Sequence, residues 1–345
     1  MRFASSLVAA SFLASGLAVP LSTTESSSVA KLAAIDPTLF ENIKYYAQYA
    51  AATYCSNNAN SSGTPITCEA DNCPDVEAAN AVSVLEFDNS IITDQQGFLS
   101  VSTIRKEIVL AFKGSASIRN FLADLNFALV DFGCPGCKAH VGFTAAWLEP
   151  RSAILAALAK TRAQYPDYKI VTTGHSLGGA VATLAALELR SSGYEVDLYT
   201  YGSPRTGNAA FATFVSAQPG INARVTHVND LAPRVPPMIL GGYRHTTPEY
   251  WLSTGGPTTT DYTPEDVKVC TGIATRECNG STLRVSIVAH LYYFVSLLAC
   301  VPEEVFETDV LMSPALEANR TAIDGQVLEW IAADAAASPS DLSMN

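Results

Sequence analysis

The sequence predicts an α/β protein with a mainly parallel central sheet that is covered by helices on both faces. Short β-branched runs alternate with helical segments between residues 106 and 228, a pattern typical of parallel strands joined by crossover helices. The run from Lys106 to Phe112 has a continuously apolar centre, as expected for an interior strand. The chain of 345 residues is 48% hydrophobic and 16% charged, which favours a globular protein with a sizeable core.

The elements follow one another in a regular order. Apolar residues at helical spacing predict a first amphipathic helix over Pro37–Tyr54. Four β-branched runs predict strands: Lys106–Phe112, Tyr168–Thr173, Val196–Tyr201 and Ala223–Val228. Intervening Ala- and Leu-rich stretches predict three more helices: Trp147–Gln164, Ala180–Arg190 and Ala209–Ala217.

Composition divides the chain into four segments. Residues 1–18 carry Arg2, an apolar run and the small residues Gly16 and Ala18, which indicates a secretory signal peptide and an extracellular protein. Residues 19–34 are expected to form a loose leader or pro-segment, and residues 35–300 the main domain. Residues 301–345 form an acidic extension, in which one helical face is apolar and can dock on the domain. That face consists of Ile323, Val327, Trp330 and Ile331.

Charge and hydropathy limit the partners. The net charge is −12 and the sequence pI is about 4.8, so the protein repels phosphate backbones and nucleic acid is not expected as a partner. No run after the leader reaches the length of a membrane span.

Eight cysteines fit an oxidising compartment and permit complete pairing, although spacing alone cannot select one connectivity. Three close pairs, Cys68 with Cys73, Cys134 with Cys137 and Cys270 with Cys278, can each staple a short loop, which leaves Cys55 and Cys300. The Cys134–Cys137 spacing also occurs in redox and metal sites, but no second pair of this spacing is present. Three glycosylation sequons begin at Asn60, Asn279 and Asn319.

A candidate nucleophile lies between a predicted strand and a predicted helix. Gly174-His-Ser176-Leu-Gly178 matches the Gly-x-Ser-x-Gly pattern in the context where a nucleophile elbow forms. The glycines let strand and helix approach closely while the serine adopts a strained backbone conformation. The following helix directs its positive dipole end and free N–H groups towards an oxyanion at this point.

A serine nucleophile needs a base and an orienting carboxylate, which follow it in the order Ser, Asp, His in this architecture. Asp230 closes a predicted strand and opens a proline-rich loop, whereas the rival Asp197 begins a strand at the opposite end of the sheet. His245 and His290 both satisfy the order. We favour His290, because the bulky residues Leu-Tyr-Tyr-Phe that follow it can hold an imidazole by packing.

At this level of detail the chain resembles the secreted fungal lipases of the Rhizomucor and Thermomyces type, within the α/β-hydrolases. The resemblance extends from about Leu39 to Cys300 and is strongest to Fusarium-type triacylglycerol lipases. The motifs that carry it are Gly-His-Ser-Leu-Gly-Gly, Tyr201-Gly-Ser-Pro-Arg-x-Gly-Asn208, Thr226-His-x-Asn-Asp230, Pro233-Arg-x-Pro-Pro237, His245-x-x-Pro-Glu-Tyr-Trp251 and Ala289-His290-x-x-Tyr-Phe294.

The resemblance implies a site and an activity. Ser176 is implied as nucleophile, Asp230 as orienting acid and His290 as base, while Ser115 and the N–H of Leu177 are implied as the oxyanion hole. It implies an α/β-hydrolase catalytic domain over residues 35–300. It also implies that the disulfides are Cys55–Cys300, Cys68–Cys73, Cys134–Cys137 and Cys270–Cys278. The reaction implied is hydrolysis of triacylglycerols through an acyl-enzyme, without a metal or organic cofactor.

A lid is implied directly after Ser115. Ile118, Phe121, Leu122 and Leu125 recur at helical spacing, at the place where this family carries a mobile lid. We therefore expect interfacial activation, with lipid esters at an oil–water interface as the partner and a monomer in solution. The alternatives left open are a feruloyl esterase, a mono- and diacylglycerol lipase, a phospholipase A1 and a secreted binding protein with an inactive hydrolase fold.

Overall fold

The computed structural model describes residues 35–88, 92–115, 127–282, 284–302 and 314–338, with the backbone alone for 314–324. The expected signal peptide, the leader and the lid residues Ile118, Phe121, Leu122 and Leu125 lie outside the described residues, as does the side chain of Asn319. In the described ranges no helix combines the length and the apolar composition that crossing a bilayer requires.

A mixed sheet forms the centre of the fold, in the strand order β1-β2-β3-β6-β7-β9-β11-β12. The five central strands from β3 to β11 run parallel, and the strands at both edges are antiparallel to their neighbours. The strands of this sheet are β1 Val82–Phe87, β2 Gly97–Ser102, β3 Glu107–Phe112, β6 Lys169–His175, β7 Val196–Tyr201, β9 Asn222–His227, β11 Glu249–Leu252 and β12 Val267–Cys270.

A second, smaller antiparallel sheet has the order β10-β8-β5-β4. Its strands are β4 Leu129–Asp131, β5 Lys138–His140, β8 Gly207–Asn208 and β10 Tyr243–Arg244. The helices are α1 Pro37–Ala52, α2 Pro74–Ala78, α3 Val141–Leu148, α4 Arg151–Gln164, α5 Leu177–Ser191, α6 Ala209–Ala217, α7 Ile287–His290 and α8 Pro314–Ala336.

Strand β3 shows how the sheet is buried on both faces. All six of its residues are buried. Val109 and Ala111 join the core on the α1 side, whereas Ile108 and Leu110 join the core on the side of α3, α4 and α5. Because successive side chains of a strand point to opposite faces, a continuously apolar run satisfies both cores, and the predicted interior strand is confirmed.

The predicted helix Trp147–Gln164 is wrong at its start and in its continuity. The structure has two helices, α3 and α4, with Pro150 between them. Proline cannot donate a backbone hydrogen bond, and its ring clashes with the preceding helical turn. The chain therefore breaks at this residue and starts a new helix at Arg151.

Four disulfides are present, and they are the pairs that the resemblance implies: Cys55–Cys300, Cys68–Cys73, Cys134–Cys137 and Cys270–Cys278. Cys55–Cys300 joins residues 245 positions apart, so it links the segment after α1 to the end of the predicted main domain. The Cys134–Cys137 pair is thus a disulfide in a surface turn, with no further cysteine free among the eight.

The acidic extension contributes the helix α8. Two residues of the predicted apolar face, Val327 and Ile331, are buried in the same core cluster as α1, and Trp330 packs against it. The expected docking of a C-terminal helix is confirmed for these three residues. The helix is longer than expected and begins at Pro314.

Candidate active site

Ser176 lies in a sharp turn between strand β6 and helix α5. Its backbone angles are φ 56° and ψ −130°, a region that a residue with a side chain enters only under strain. A Cβ on Gly174 would lie 2.3 Å from the carbonyl oxygen of Gly178, and a Cβ on Gly178 would lie 2.3 Å from that of Phe112. Only glycine fits at both places, which is the physical reason for the Gly-x-Ser-x-Gly pattern.

Asp230 and His290 form a buried pair. The Nδ1 atom of His290 lies 2.9 Å from both carboxylate oxygens of Asp230, and neither residue is exposed. The carboxylate also accepts hydrogen bonds from the hydroxyl of Tyr293 at 2.5 Å and from the N–H of Ala232 at 2.8 Å. A carboxylate accepts, so Nδ1 is the donor, and in the neutral form of the ring Nε2 keeps a lone pair.

The sheet topology brings this pair to Ser176. The N–H of Ser176 donates to the carbonyl of Tyr201 at the end of β7, and Gly202 follows directly. A Cβ on Gly202 would lie 2.8 Å from Cε1 of His290 and 2.7 Å from Oδ2 of Asp230. All three residues therefore meet at the carboxyl ends of the parallel strands.

The two atoms that would react are buried and unpaired. Within the described ranges neither Oγ of Ser176 nor Nε2 of His290 has a hydrogen-bond partner. Buried polar atoms normally find partners, and exceptions cluster at catalytic sites. In enzymes without substrate such hydrogen bonds are often long and form fully only in the complex.

A neutral histidine supports the backbone at His290. Nε2 of His175 lies 2.8 Å from the carbonyl oxygen of His290, and Nδ1 lies 2.8 Å from the hydroxyl of Tyr54. A carbonyl only accepts, so Nε2 of His175 donates and Nδ1 accepts from the tyrosine. Burial, and then the nearby His290, hold the pKa of His175 well below 6.5, which keeps the ring neutral in this role.

His227 supports the preceding backbone carbonyl, that of Ala289, in the same way. Its Nδ1 donates to the carbonyl of Ala289 at 2.8 Å, and its Nε2 accepts from the hydroxyl of Tyr262 at 2.6 Å. Burial lowers its pKa. Two neutral histidines thus hold consecutive carbonyls of α7, the short helix that ends at His290, and neither was predicted to contribute to the site.

Asn279 supports the backbone at Asp230, and this buried position disfavours the glycosylation predicted at its sequon. The side chain is 2% exposed, and its Nδ2 donates to the carbonyls of Asp230 at 3.0 Å and Val228 at 3.3 Å. A glycan on Nδ2 would need solvent access and would replace one of these hydrogens. Asn60, by contrast, is exposed.

The two rejected candidates occupy other positions. Asp197 lies at the start of β7, where it accepts from the N–H of Ile221 and pairs with Lys169 at 3.4 Å. Nε2 of His245 donates to the carbonyl of Pro233 at 2.7 Å, because a carbonyl cannot donate. Burial, with nearby guanidinium groups, holds the pKa of His245 well below 6.5. Both side chains are engaged in structural contacts.

The candidate oxyanion groups lie next to Ser176. Leu177 is the first residue of α5, and the first N–H groups of a helix have no partner within it. Ser115 follows Gly114, where a Cβ would lie 3.0 Å from Cβ of Ser176. The preceding Lys113 is held by Gln95, whose Nε2 donates to its carbonyl at 3.0 Å. The segment that carries Ser115 therefore leaves β3 directly beside the nucleophile position.

Among the described side chains, no three of the His, Cys, Asp or Glu type lie together as a metal ion requires.

Residues 109–240 match the family model "Lipase (class 3)", and residues 8–83 match "Lipase 3 N-terminal region". A secreted mono- and diacylglycerol lipase 1 of Fusarium solani is 46% identical over 76% of this chain and 78% of its own length. The chain belongs to the class 3 lipases. A secreted mono- and diacylglycerol lipase A of Penicillium cyclopium is 41% identical over 74% of this lipase and 85% of the relative.

Solved structures of fungal lipases superimpose on this chain. The mono- and diacylglycerol lipase of Aspergillus oryzae superimposes with a TM-score of 0.73 at 40% identity, over 77% of this lipase and all of that chain. The triacylglyceride lipase of Rhizomucor miehei gives a TM-score of 0.68 at 31% identity, over 78% and 99% respectively. The predicted α/β-hydrolase fold, the lipase activity and the secretion are thereby confirmed.

Proposed function

We propose that this lipase hydrolyses the ester bonds of acylglycerols with Ser176 as nucleophile, His290 as general base and Asp230 as the orienting carboxylate. The observation that carries the proposal is the buried Asp230–His290 pair, and it is supported by the lack of a hydrogen-bond partner at Nε2 of His290 and at Oγ of Ser176 within the described residues. His290 takes the proton of Ser176 as Oγ attacks the ester carbonyl, and the alcohol leaves with that proton. Water, deprotonated by His290, then releases the fatty acid from the acyl-enzyme.

Ser115 and Leu177 are proposed to hold the negative charge that develops on the carbonyl oxygen. Support comes from the position of Leu177 at the start of α5 and from the path of the chain at Gly114. A donor fixed before the charge develops contributes about 3 to 4 kcal/mol to the transition state.

We further propose that the segment after Ser115 acts as a lid. The support is the apolar spacing of Ile118, Phe121, Leu122 and Leu125. Exposure of this face in water is unfavourable and contact with lipid removes the penalty, so activity should rise as an ester passes its solubility limit. A flat dependence on substrate through that limit would count against a lid.

The substrate class is proposed to be acylglycerols, with triacylglycerols as the first candidate. The names of the Fusarium solani and Penicillium cyclopium relatives favour mono- and diacylglycerols as the second. Equal molar emulsions of triolein, diolein and monoolein, together with tributyrin, phosphatidylcholine and methyl ferulate, separate these classes by rate of acid release. Preference for the phospholipid or the ferulate would reject both candidates.

The remaining organisation is proposed from the sequence. Residues 1–18 are removed as a signal peptide, residues 19–34 form a leader, and Asn60 and Asn319 carry glycans on a monomeric protein. N-terminal sequencing of the secreted protein, its mass before and after deglycosylation, and light scattering test these points in turn.

A matched pair of substitutions tests the catalytic roles. Asp230→Asn leaves the shape of the site intact but lets His290 adopt the wrong tautomer, so we expect kcat to fall by about 10⁴-fold. Asp197→Asn is the same chemical change on the carboxylate at the other end of the sheet, and kcat should stay within about twofold of the wild-type value. A phosphonate ester should label Ser176 in the wild-type enzyme, and Ser176→Ala should remain unlabelled. Labelling of that variant, or equal kcat for the two aspartate variants, would reject the assignment.

A further inference from the structure

A carboxylate of the C-terminal helix α8 is buried against the loop that follows Asp230. Asp334 is 5% exposed, and its Oδ2 accepts from the N–H of Met238 at 2.9 Å while its Oδ1 accepts from that of Ile239 at 3.1 Å. The same Oδ2 lies 3.1 Å from Nη1 of Arg205, and both side chains are less than a tenth exposed. Asp334 is therefore bound by one guanidinium and two backbone donors.

The surroundings of Asp334 are rich in buried positive charge. Arg205, Arg224, Arg234 and Arg244 are each less than a tenth exposed, and Arg224 has its own partner in Glu249 at 2.8 Å. Burial lowers the pKa of Arg205 to about 10, while the Asp334 carboxylate opposes this shift. Arg205 thus stays charged at neutral pH, and a buried charge without a partner is strongly destabilising.

An unbroken series of hydrogen bonds connects this ion pair to the active site. Nη1 of Arg205 donates to the carbonyl of Arg234 at 2.8 Å, and Nη1 of Arg234 donates to that of Asn279 at 2.8 Å. Nδ2 of Asn279 donates to the carbonyl of Asp230 at 3.0 Å. Asp230 is the residue whose side chain orients His290.

Helix α8 is held at two further points. The rings of Trp330 and Phe127 meet edge to face with centroids 5.0 Å apart. Arg276 donates to the carbonyls of Ala335 and Ala337 at the end of the helix. The position of Asp334 is therefore set by Trp330 on one side and by the Arg276 contacts on the other, while the buried side chains of Val327 and Ile331 add to the stability of the docked helix.

We infer that Asp334 is a positioning residue for the hydrolytic reaction: the C-terminal helix supplies the buried carboxylate that holds Arg205 and, through Arg234 and Asn279, the backbone of Asp230. This inference rests on the catalytic roles proposed above for Asp230 and His290. Without the Asp334 charge, Arg205 is drawn towards other acceptors, the loop after Asp230 moves, and the carboxylate no longer orients His290. By this inference the C-terminal extension contributes to the rate of hydrolysis.

Asp334→Asn tests the inference, because it removes the charge and keeps the size of the side chain. We expect kcat on a soluble p-nitrophenyl butyrate to fall by about 3- to 30-fold, the range found for residues coupled to a site through packed networks. KM should stay within about twofold, since no substrate contact changes. The rate of phosphonate labelling at Ser176 should fall with kcat. Asp334→Glu retains the charge and should recover part of the rate.

Two controls separate positioning from general stability. Glu329→Gln makes the same chemical change on an exposed carboxylate of the same helix and should leave kcat and the urea midpoint unchanged. Val327→Ala weakens the docking of α8 without touching the hydrogen bonds, so it should lower the midpoint and leave kcat near the wild-type value. Each variant is assayed at least 15 °C below its own Tm. If Asp334→Asn does not fold, the kcat values of Asp334→Glu and Val327→Ala are compared instead.

Two outcomes would overturn the inference: an Asp334→Asn enzyme with a lowered urea midpoint but wild-type kcat and labelling rate, or a Val327→Ala enzyme that loses as much kcat. Absence of phosphonate labelling in the wild-type enzyme would instead reject the catalytic assignment of Ser176. Wild-type labelling combined with an equal labelling rate in Asp334→Asn would reject only the role of Asp334.

Discussion

Replacing Ser176 should make the enzyme inactive and more stable. The residue holds two unfavourable features: a backbone with φ 56° and ψ −130° and a buried hydroxyl without a partner among the described residues. Such a backbone conformation costs about 1 to 3 kcal/mol in a residue other than glycine. A buried unpaired hydroxyl costs about 1 to 3 kcal/mol. The nucleophile is therefore a site at which stability and function oppose each other.

The two features can be removed one at a time. Ser176→Ala removes the hydroxyl and keeps the strain, so we expect the free energy of unfolding to rise by about 1 kcal/mol or more. Ser176→Gly also removes the strain, although the added freedom of glycine in the unfolded chain offsets about 0.5 to 1 kcal/mol. A further gain of about 1 kcal/mol remains. At roughly 2 °C per kcal/mol for a protein of this size, Tm should rise by about 2 °C and then about 4 °C.

Urea unfolding at 25 °C with the disulfides oxidised measures these differences, and thermal unfolding gives the Tm values. Ser192 is a matched control, because it lies at φ −86° and ψ 4° and is exposed. There the order should reverse, with Ser192→Gly less stable than Ser192→Ala. If Ser176→Gly is no more stable than Ser176→Ala while the control behaves as stated, the backbone at the nucleophile is not strained and the reasoning is refuted.

Two other predictions follow from the site. Gly178→Ala places a Cβ 2.3 Å from the carbonyl oxygen of Phe112. Because the chain from β3 to the oxyanion loop must then move, kcat/KM on a soluble ester should fall by about 100-fold. A loss below threefold would contradict the packing argument. The pKa values of His175, His227 and His245 are lowered in the folded protein, so the unfolded chain binds more protons below pH 6.5. The free energy of unfolding should therefore fall as the pH drops from 6.5 to 5, by at most about 1.4 kcal/mol per pH unit for each histidine. A urea midpoint that stays constant over this interval would show that these rings are not held neutral.

The turn that carries the nucleophile could be predicted because it depends on residues that are close together in the sequence. Gly174, Ser176 and Gly178 lie within five positions, and the collisions that require glycine involve the turn itself and its neighbouring strand. The predicted strands Val196–Tyr201 and the helix Ala209–Ala217 match the structure at both ends, since their apolar periods are regular and their borders carry turn residues. Chain order left two histidines, His245 and His290, and two carboxylates, Asp197 and Asp230; the residues that follow His290 and the strand end at Asp230 favoured the pair Asp230 and His290.

Other elements were missed because their pattern is weak or depends on distant residues. Four strands at or next to the edges of the sheet, β1, β2, β11 and β12, were not predicted: the register of β1 is irregular between Ser83 and Leu85, and β11 and β12 have only four residues each. Tyr293 lies three residues after His290 and beyond the end of α7, so its contact with Asp230 depends on tertiary packing.

The sequence by itself determined the fold class, the nucleophile turn and the candidate triad, because each depends on residue types at short range or on chain order. Only the tertiary structure decided which polar side chains are buried together. Asn279 is a sequon by its sequence and supports Asp230 by its buried position, and Asp334, an acidic residue of the C-terminal extension, lies beside Arg205, 129 positions earlier. A buried charge selects its partner by distance in space and by exclusion of water, and neither quantity can be obtained from spacing along the chain.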